Sequence, residues 1–152
     1  MQLKTSSDVG EFTWNDHYLL GFGEMDATHQ EFVVVVAALQ RSPDDELLVA
    51  LDHFIAHAQS HFGAEDQWMR DTAFPPSDCH IEEHAAVMKS AYEVRERVVL
   101  GDYSVARSFA AELRRWFPGH ADYLDSALAA WMVKRRLGGK PVVLKRNLGL
   151  RA

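Results

Sequence analysis

Apolar positions in this chain recur mostly at intervals of three and four, the spacing that puts side chains on one face of an α-helix. From Met25 to about Gln40, Phe32, Val35, Val36 and Leu39 keep this period. The run Val33–Val36 would also suit a strand, but the length of the segment favours a helix. Ser42-Pro43-Asp44-Asp45-Glu46 reads as a helix start, with a hydroxyl cap, proline in the first turn and acids that complement the macrodipole. A second helix is therefore predicted from there to about Asp71, ended by Ala73-Phe74-Pro75-Pro76. Ser77-Asp78 is expected to cap a third helix that runs to about Leu100, where Gly101 stops it. Asp102 is expected to cap a fourth that reaches Arg136, before Gly138, Gly139 and Pro141. Residues 1–24 hold turn formers and aromatics, and Gly21 and Gly23 discourage a helix there. The expected organisation is an arm (1–24), a bundle (25–137) and a basic tail (138–152). The fold class is all-α, an antiparallel up-down-up-down four-helix bundle, the economical solution for four such helices with short connections.

Charge adds an asymmetry. Residues 134–152 carry seven of the sixteen Lys and Arg and no acid, so the rest of the chain holds nine basic and 22 acidic side chains. A body this acidic repels nucleic acid, and no apolar run reaches the length of a membrane span. The single Cys79 fits a reducing compartment, so a cytoplasmic protein is expected, with neither nucleic-acid nor membrane partners. In the tail, Val142, Val143, Leu144, Leu148 and Leu150 want burial, and docking on its own domain or on a second copy is the preferred reading.

Seven candidate metal ligands are spread over the four helices: His29; His61 with Glu65; His80 with His84; and His120 with Asp125. Two of the pairs are spaced i,i+4, one helical turn apart on one face. Five imidazoles and two carboxylates exceed one tetrahedral zinc site and suit two six-coordinate ions bridged by carboxylates. Asp125 follows His120 by five residues, about 7.5 Å along an ideal helix and rotated by roughly 140°, so the two need not serve one ion side by side. The donors alone would also suit manganese or zinc.

The ordered set His29, His61-Phe-Gly-Ala-Glu65, His80-Ile-Glu-Glu-His84 and His120-Ala-Asp-Tyr-Leu-Asp125 resembles the hemerythrin family in its bacterial form, as do Trp14, Asp26, Met69 and Trp116. The resemblance spans roughly Trp14 to Val133. It implies two iron ions with an oxo or hydroxo bridge. His80, His84 and His120 would hold one iron, His29 and His61 the other, with Glu65 and Asp125 bridging. Dioxygen would bind reversibly at an open position of the second iron, making the protein an oxygen carrier, store or supply and not an enzyme. Imidazole-rich ligation, poorer in negative charge than carboxylate-rich oxygenase sites, agrees with reversible binding. Two other classes compete: a sensor of oxygen, nitric oxide or iron state acting through the tail, and a peroxide- or nitric-oxide-processing enzyme. Ligand-dependent protection of the tail would mark the first, and multiple turnover with a reductant the second.

Two features depart from the family pattern. Pro118-Gly119 precedes His120, and a proline there deletes its bond to the Arg114 carbonyl, so a kink is predicted. Phe117 stands where the family usually has an aliphatic residue, and Trp116 and Phe117 are expected to line the oxygen pocket. Outside the motif, His17, His53 and His57 read as surface or half-exposed residues and Cys79 as a packed thiol. Met25, Met69, Met88, Met132, Trp68 and Trp131 read as core packing.

Overall fold

The period-of-four stripe on the second helix sets the architecture. Its buried positions are Leu47, Ala50, Leu51, Phe54, Ile55, Ala58, His61, Phe62, Glu65 and Met69, so one continuous face turns from apolar to polar and back. The computed structural model describes residues 10–136. These form α1 (Gly23–Arg41), α2 (Leu47–Asp71), α3 (Ser77–Val99), α4 (Ser104–His120) and α5 (Ser126–Arg136). Short 3₁₀ turns cover Asp16–Tyr18 and Asp44–Glu46, and a π-helical turn, Ala121–Asp125, joins α4 to α5. The described residues are all-helical, without strands. α1 packs on α2 and α4, and α3 on α2 and α4, which closes a four-helix bundle. The expected tail, 138–152, lies outside the described residues.

Among the described residues two apolar clusters fill the interior. One is built around Phe32, Leu39, Leu51, Phe54, Leu113 and Phe117. The other comprises Leu20, Phe22, Met25, Met69, Phe74, Leu128 and Ala129. On α1 the order is Met25, His29, Phe32, and on α2 it is Phe62, Glu65, Met69. Along the α4–α5 path it is Phe117, His120, Asp125, Leu128. The buried polar residues thus sit between two hydrophobic plugs. Ahead of α1, Phe12, Leu20 and Phe22 are also buried. Met25 and Met69 are fully buried, and Trp68, Met88, Trp131 and Met132 pack against the clusters at partial exposure.

The helix boundaries correct several expectations. Gly23 opens α1 instead of blocking it; the turn lies at Gly21, whose φ of 85° suits glycine. Asp26 stabilises that turn by accepting from the Leu20 and Gly21 backbone N–H groups at 2.8 and 3.1 Å. Ser42 does not cap α2. Its hydroxyl donates back to the Ala38 carbonyl at 2.7 Å, closing α1, and a 3₁₀ turn leads into α2. Ser77 is the first residue of α3, after Pro76, and makes no cap bond. Tyr103 directly precedes α4, yet Asp102 meets its first turn as expected, accepting from the Val105 backbone N–H and from Ser104 Oγ at 2.9 Å. Gly101, at φ 91°, ends α3 as expected, with Asp102 N–H bonded to the Arg97 carbonyl. Pro118 lies inside α4, and the interruption of α-type bonding comes downstream of it, as the π turn at Ala121–Asp125. Cys79 is exposed, not packed.

Candidate metal centre

All seven candidate ligands are buried, each at 4% exposure or less. Burying five imidazoles and two carboxylates is costly unless they satisfy one another or an ion. Glu65 and Asp125 stand at the middle, and each divides its oxygens between two groups of histidines. Glu65 Oε2 lies 2.7 Å from His61 Nε2 and 3.6 Å from His29 Nε2. Its Oε1 lies 3.3 Å from His84 Nε2 and 3.5 Å from His80 Nε2. Asp125 Oδ2 is 3.0 Å from His29 Nε2, while Oδ1 is 2.8 Å from His80 Nε2 and 3.1 Å from His120 Nε2. Each of these five histidines presents Nε2 inward.

The π turn allows this. Its widened winding adds a residue to the turn, so Asp125 comes back toward the His120 side despite the five-residue spacing. The structure therefore brings together two groups that straight-helix geometry had set apart.

Donors of two sets, Glu65, His80, His84, His120 and Asp125 in one and His29, His61 and Glu65 in the other, lie within 4.8 Å of one another. Two donors about 2.1 Å from one ion at right angles are about 3 Å apart, the separation seen here. His84 and His120 turn their Nε2 atoms toward each other at 3.3 Å, which suits two lone pairs aimed at one cation. His29 Nε2, His80 Nε2, Glu65 Oε1 and both Asp125 oxygens are buried without a well-formed hydrogen bond. The donor set fits metal, and Glu65 belongs to both groups.

The metal-free electrostatics follow from the same contacts. Burial lowers the pKa of His29, but Asp125 and Glu65 outweigh it and raise the value to about 10. His80 rises to about 9 for the same reasons. His84 is raised because Asp66 and Glu65 overcome burial. Burial, with Glu65 adding repulsion, pushes Asp125 up, yet His120, His29 and His80 bring it below the usual carboxylate range. Glu65 is also held well below its ordinary value, since His61, His29 and His80 outweigh burial. With no metal bound, the two carboxylates thus favour the protonated form of His29, His80 and His84.

Other histidines stay outside. His17 and His53 are exposed. His57 is half-buried, packs on the rings of His61 and Phe32, and is lowered to about 4 by burial and by His61 and His29. Phe117 meets the His29 ring edge-on at 5.1 Å between centroids and stacks on Phe32 at 5.0 Å. Trp116 lies on the other side, stacked on His120 at 4.2 Å.

Two carboxylates were missed by sequence reasoning. His84 Nδ1–H donates to Asp66 at 2.7 Å, and His120 Nδ1–H donates to Glu83 at 2.9 Å. Each acid adjoins a candidate ligand in sequence, Asp66 after Glu65 and Glu83 before His84, and that adjacency was the available signal.

The pattern of the family described as "hemerythrin HHE cation binding domain" matches residues 20–132. The chain belongs to the hemerythrin family. A bacteriohemerythrin of Ralstonia nicotianae is 36% identical over 122 residues, covering 80% of this chain and 89% of that protein. Another, from Stenotrophomonas maltophilia, is 24% identical over 123 residues, covering 76% and 78%. The hemerythrin match encloses every member of the buried cluster, and cation binding is the property its description carries.

Proposed function

We propose that this chain is a non-haem di-iron protein that binds dioxygen reversibly, as a carrier, store or local supply, and not an enzyme. The supporting observation is the division of Glu65 and Asp125 between a group of three histidines and a group of two. In this reading His80, His84 and His120 hold one iron, His29 and His61 hold the other, and the two carboxylates bridge. The four helices run antiparallel, up-down-up-down, so that each delivers donors at one level. A ferrous pair held there would supply the electrons for binding dioxygen, and the two-histidine side, with one imidazole fewer, would leave room for it.

The chain's own residues shape that side. Phe117 and Phe32 form an apolar wall against His29 and His61, which keeps water and ions from the donors. Phe12 and Tyr18 pack on Phe117 from behind, fixing the ring. Asp66 and Glu83 fix the rings of His84 and His120 so that Nε2 faces inward. A cytoplasmic location accompanies the reading; among the described residues no helix is long and apolar enough to cross a membrane.

The test is anaerobic reduction of the iron-loaded protein followed by cycles of air and argon, watched by visible absorption. The reading requires a band that appears with oxygen and disappears on its removal. A band that forms once and cannot be reversed, or no band, would refute it.

A further inference from the structure

The imidazoles of the two groups are not equally supported from behind. On the three-histidine side, Asp66 takes the outer N–H of His84 and Glu83 that of His120. The outer nitrogen of His80, the third imidazole of that group, is buried without a partner among the described residues, as are His29 Nδ1 and His61 Nδ1 on the two-histidine side, so two of three rings are backed by a carboxylate on one side and neither of two on the other. A carboxylate on the outer N–H fixes the tautomer, restrains the ring and makes the inner nitrogen a stronger donor.

Glu83 does more than accept one bond. The same oxygen, Oε1, also accepts from Trp116 Nε1–H at 2.8 Å, and the indole lies on the His120 ring with only 28° between planes. One carboxylate thus holds the ligand ring and its stacking partner in mutual register. The two acids sit at the margin of the core, with Glu83's side chain 37% exposed and Asp66's 17%, so neither carries the desolvation cost of a fully buried carboxylate.

We propose that Glu83 and Asp66 are positioning residues that make the three-histidine site the tighter of two unequal metal sites, so that the centre fills in order, three-histidine side first. The inference rests on the two-metal reading above. It reaches beyond it, because the bridging ligands alone are symmetric with respect to filling order. The count of three imidazoles against two contributes to the inequality, and the two outer carboxylates enlarge it.

The experiment is titration of the full chain, stripped of metal by chelation, with cobalt(II) alone, followed by visible absorption and calorimetry. The wild type is expected to take two ions in two resolved steps. Glu83→Ala weakens the tighter step by about 10–100-fold and the looser step by much less, drawing the two together. Glu83→Gln keeps an acceptor for the indole but lacks the charge, so its loss is smaller, and Asp66→Asn acts on the same step. Indole emission, referenced to Trp116→Phe, shifts in Glu83→Ala and less in Glu83→Gln, a response that general loosening of the fold would not grade in this way. If Glu83→Ala does not fold, the two isosteric variants decide the question alone. Two ions bound with equal affinity in the wild type, or variants that weaken both steps equally or neither, overturn the inference while leaving the two-metal reading intact. Binding of only one ion overturns both.

Discussion

Removing the metals is expected to change the protonation of the centre by a countable amount. In the metal-free protein His29 has a pKa of about 10 and His80 of about 9, because Asp125 and Glu65 overcome the effect of burial. At pH 7.5 a group with pKa near 9 is roughly 97% protonated, and one near 10 almost fully so. Ligation requires neutral imidazole, so loading at that pH releases close to two protons from these residues. Near pH 6.5 the number is larger, since His84 is also raised. Between about pH 7 and 8 the apparent constant for filling both sites should therefore fall about 100-fold per unit decrease in pH, tenfold for each proton. The stability of the metal-free protein follows with a definite sign. The raised histidines contribute stability that is fully present below about pH 6.5 and lost as pH rises through 9 to 10. Glu65 and Asp125, both pushed down, contribute stability that is present above about pH 4.5 and lost in acid. The cluster thus favours the metal-free fold most between about pH 4.5 and 6.5, whereas the loaded protein should prefer higher pH. Calorimetric loading at pH 7.5 in buffers of different ionisation heat gives the proton count. Identical heats in every buffer, meaning no protons released, would refute the reasoning.

Other perturbations have separate readouts. Phe117→Ala removes a ring that is 1% exposed and packed on four aromatic neighbours, so urea unfolding should show a loss of about 3–5 kcal/mol. Phe117→Leu should cost less and speed oxygen exchange and autoxidation in stopped flow; unchanged rates would remove Phe117 from the pocket wall. Asp125→Ala deletes the carboxylate facing His29, His80 and His120, and metal analysis should find fewer than two ions per chain, where two retained ions would contradict its bridging role. Gly101→Ala places a side chain at φ 91° and should destabilise by about 1 kcal/mol in chemical denaturation without altering metal content.

The convergence of the seven side chains was legible because a helix converts spacing into direction. His61 with Glu65 and His80 with His84 needed only the i,i+4 rule. His120 with Asp125 did not fit that rule, because the rotation was computed on an ideal α-helix while the chain makes a π turn there. Pro118 signalled a disturbance, but the absence of one donor does not say where the chain will take up the slack. The capping errors have a related origin. A serine hydroxyl beside a helix end can bond forward to a free N–H or back to a carbonyl, and Ser42 bonds back to Ala38. Asp66 and Glu83 escaped notice because acids on helices usually face water, and their adjacency to Glu65 and His84 in sequence is by itself too weak a signal to separate a hydrogen-bond partner from a solvated charge. Their role depends on which way His84 and His120 turn their rings, and that is fixed only once the helices are packed.

The claim on which the rest depends is that seven side chains from four helices hold two ions and share two carboxylates. Anomalous scattering at the iron edge from a crystal of the iron-loaded protein tests it most directly. Two iron peaks are expected in the bundle, one beside His80, His84 and His120 and one beside His29 and His61, with Glu65 and Asp125 between them. A single peak, or two peaks not flanked by both carboxylates, would contradict it.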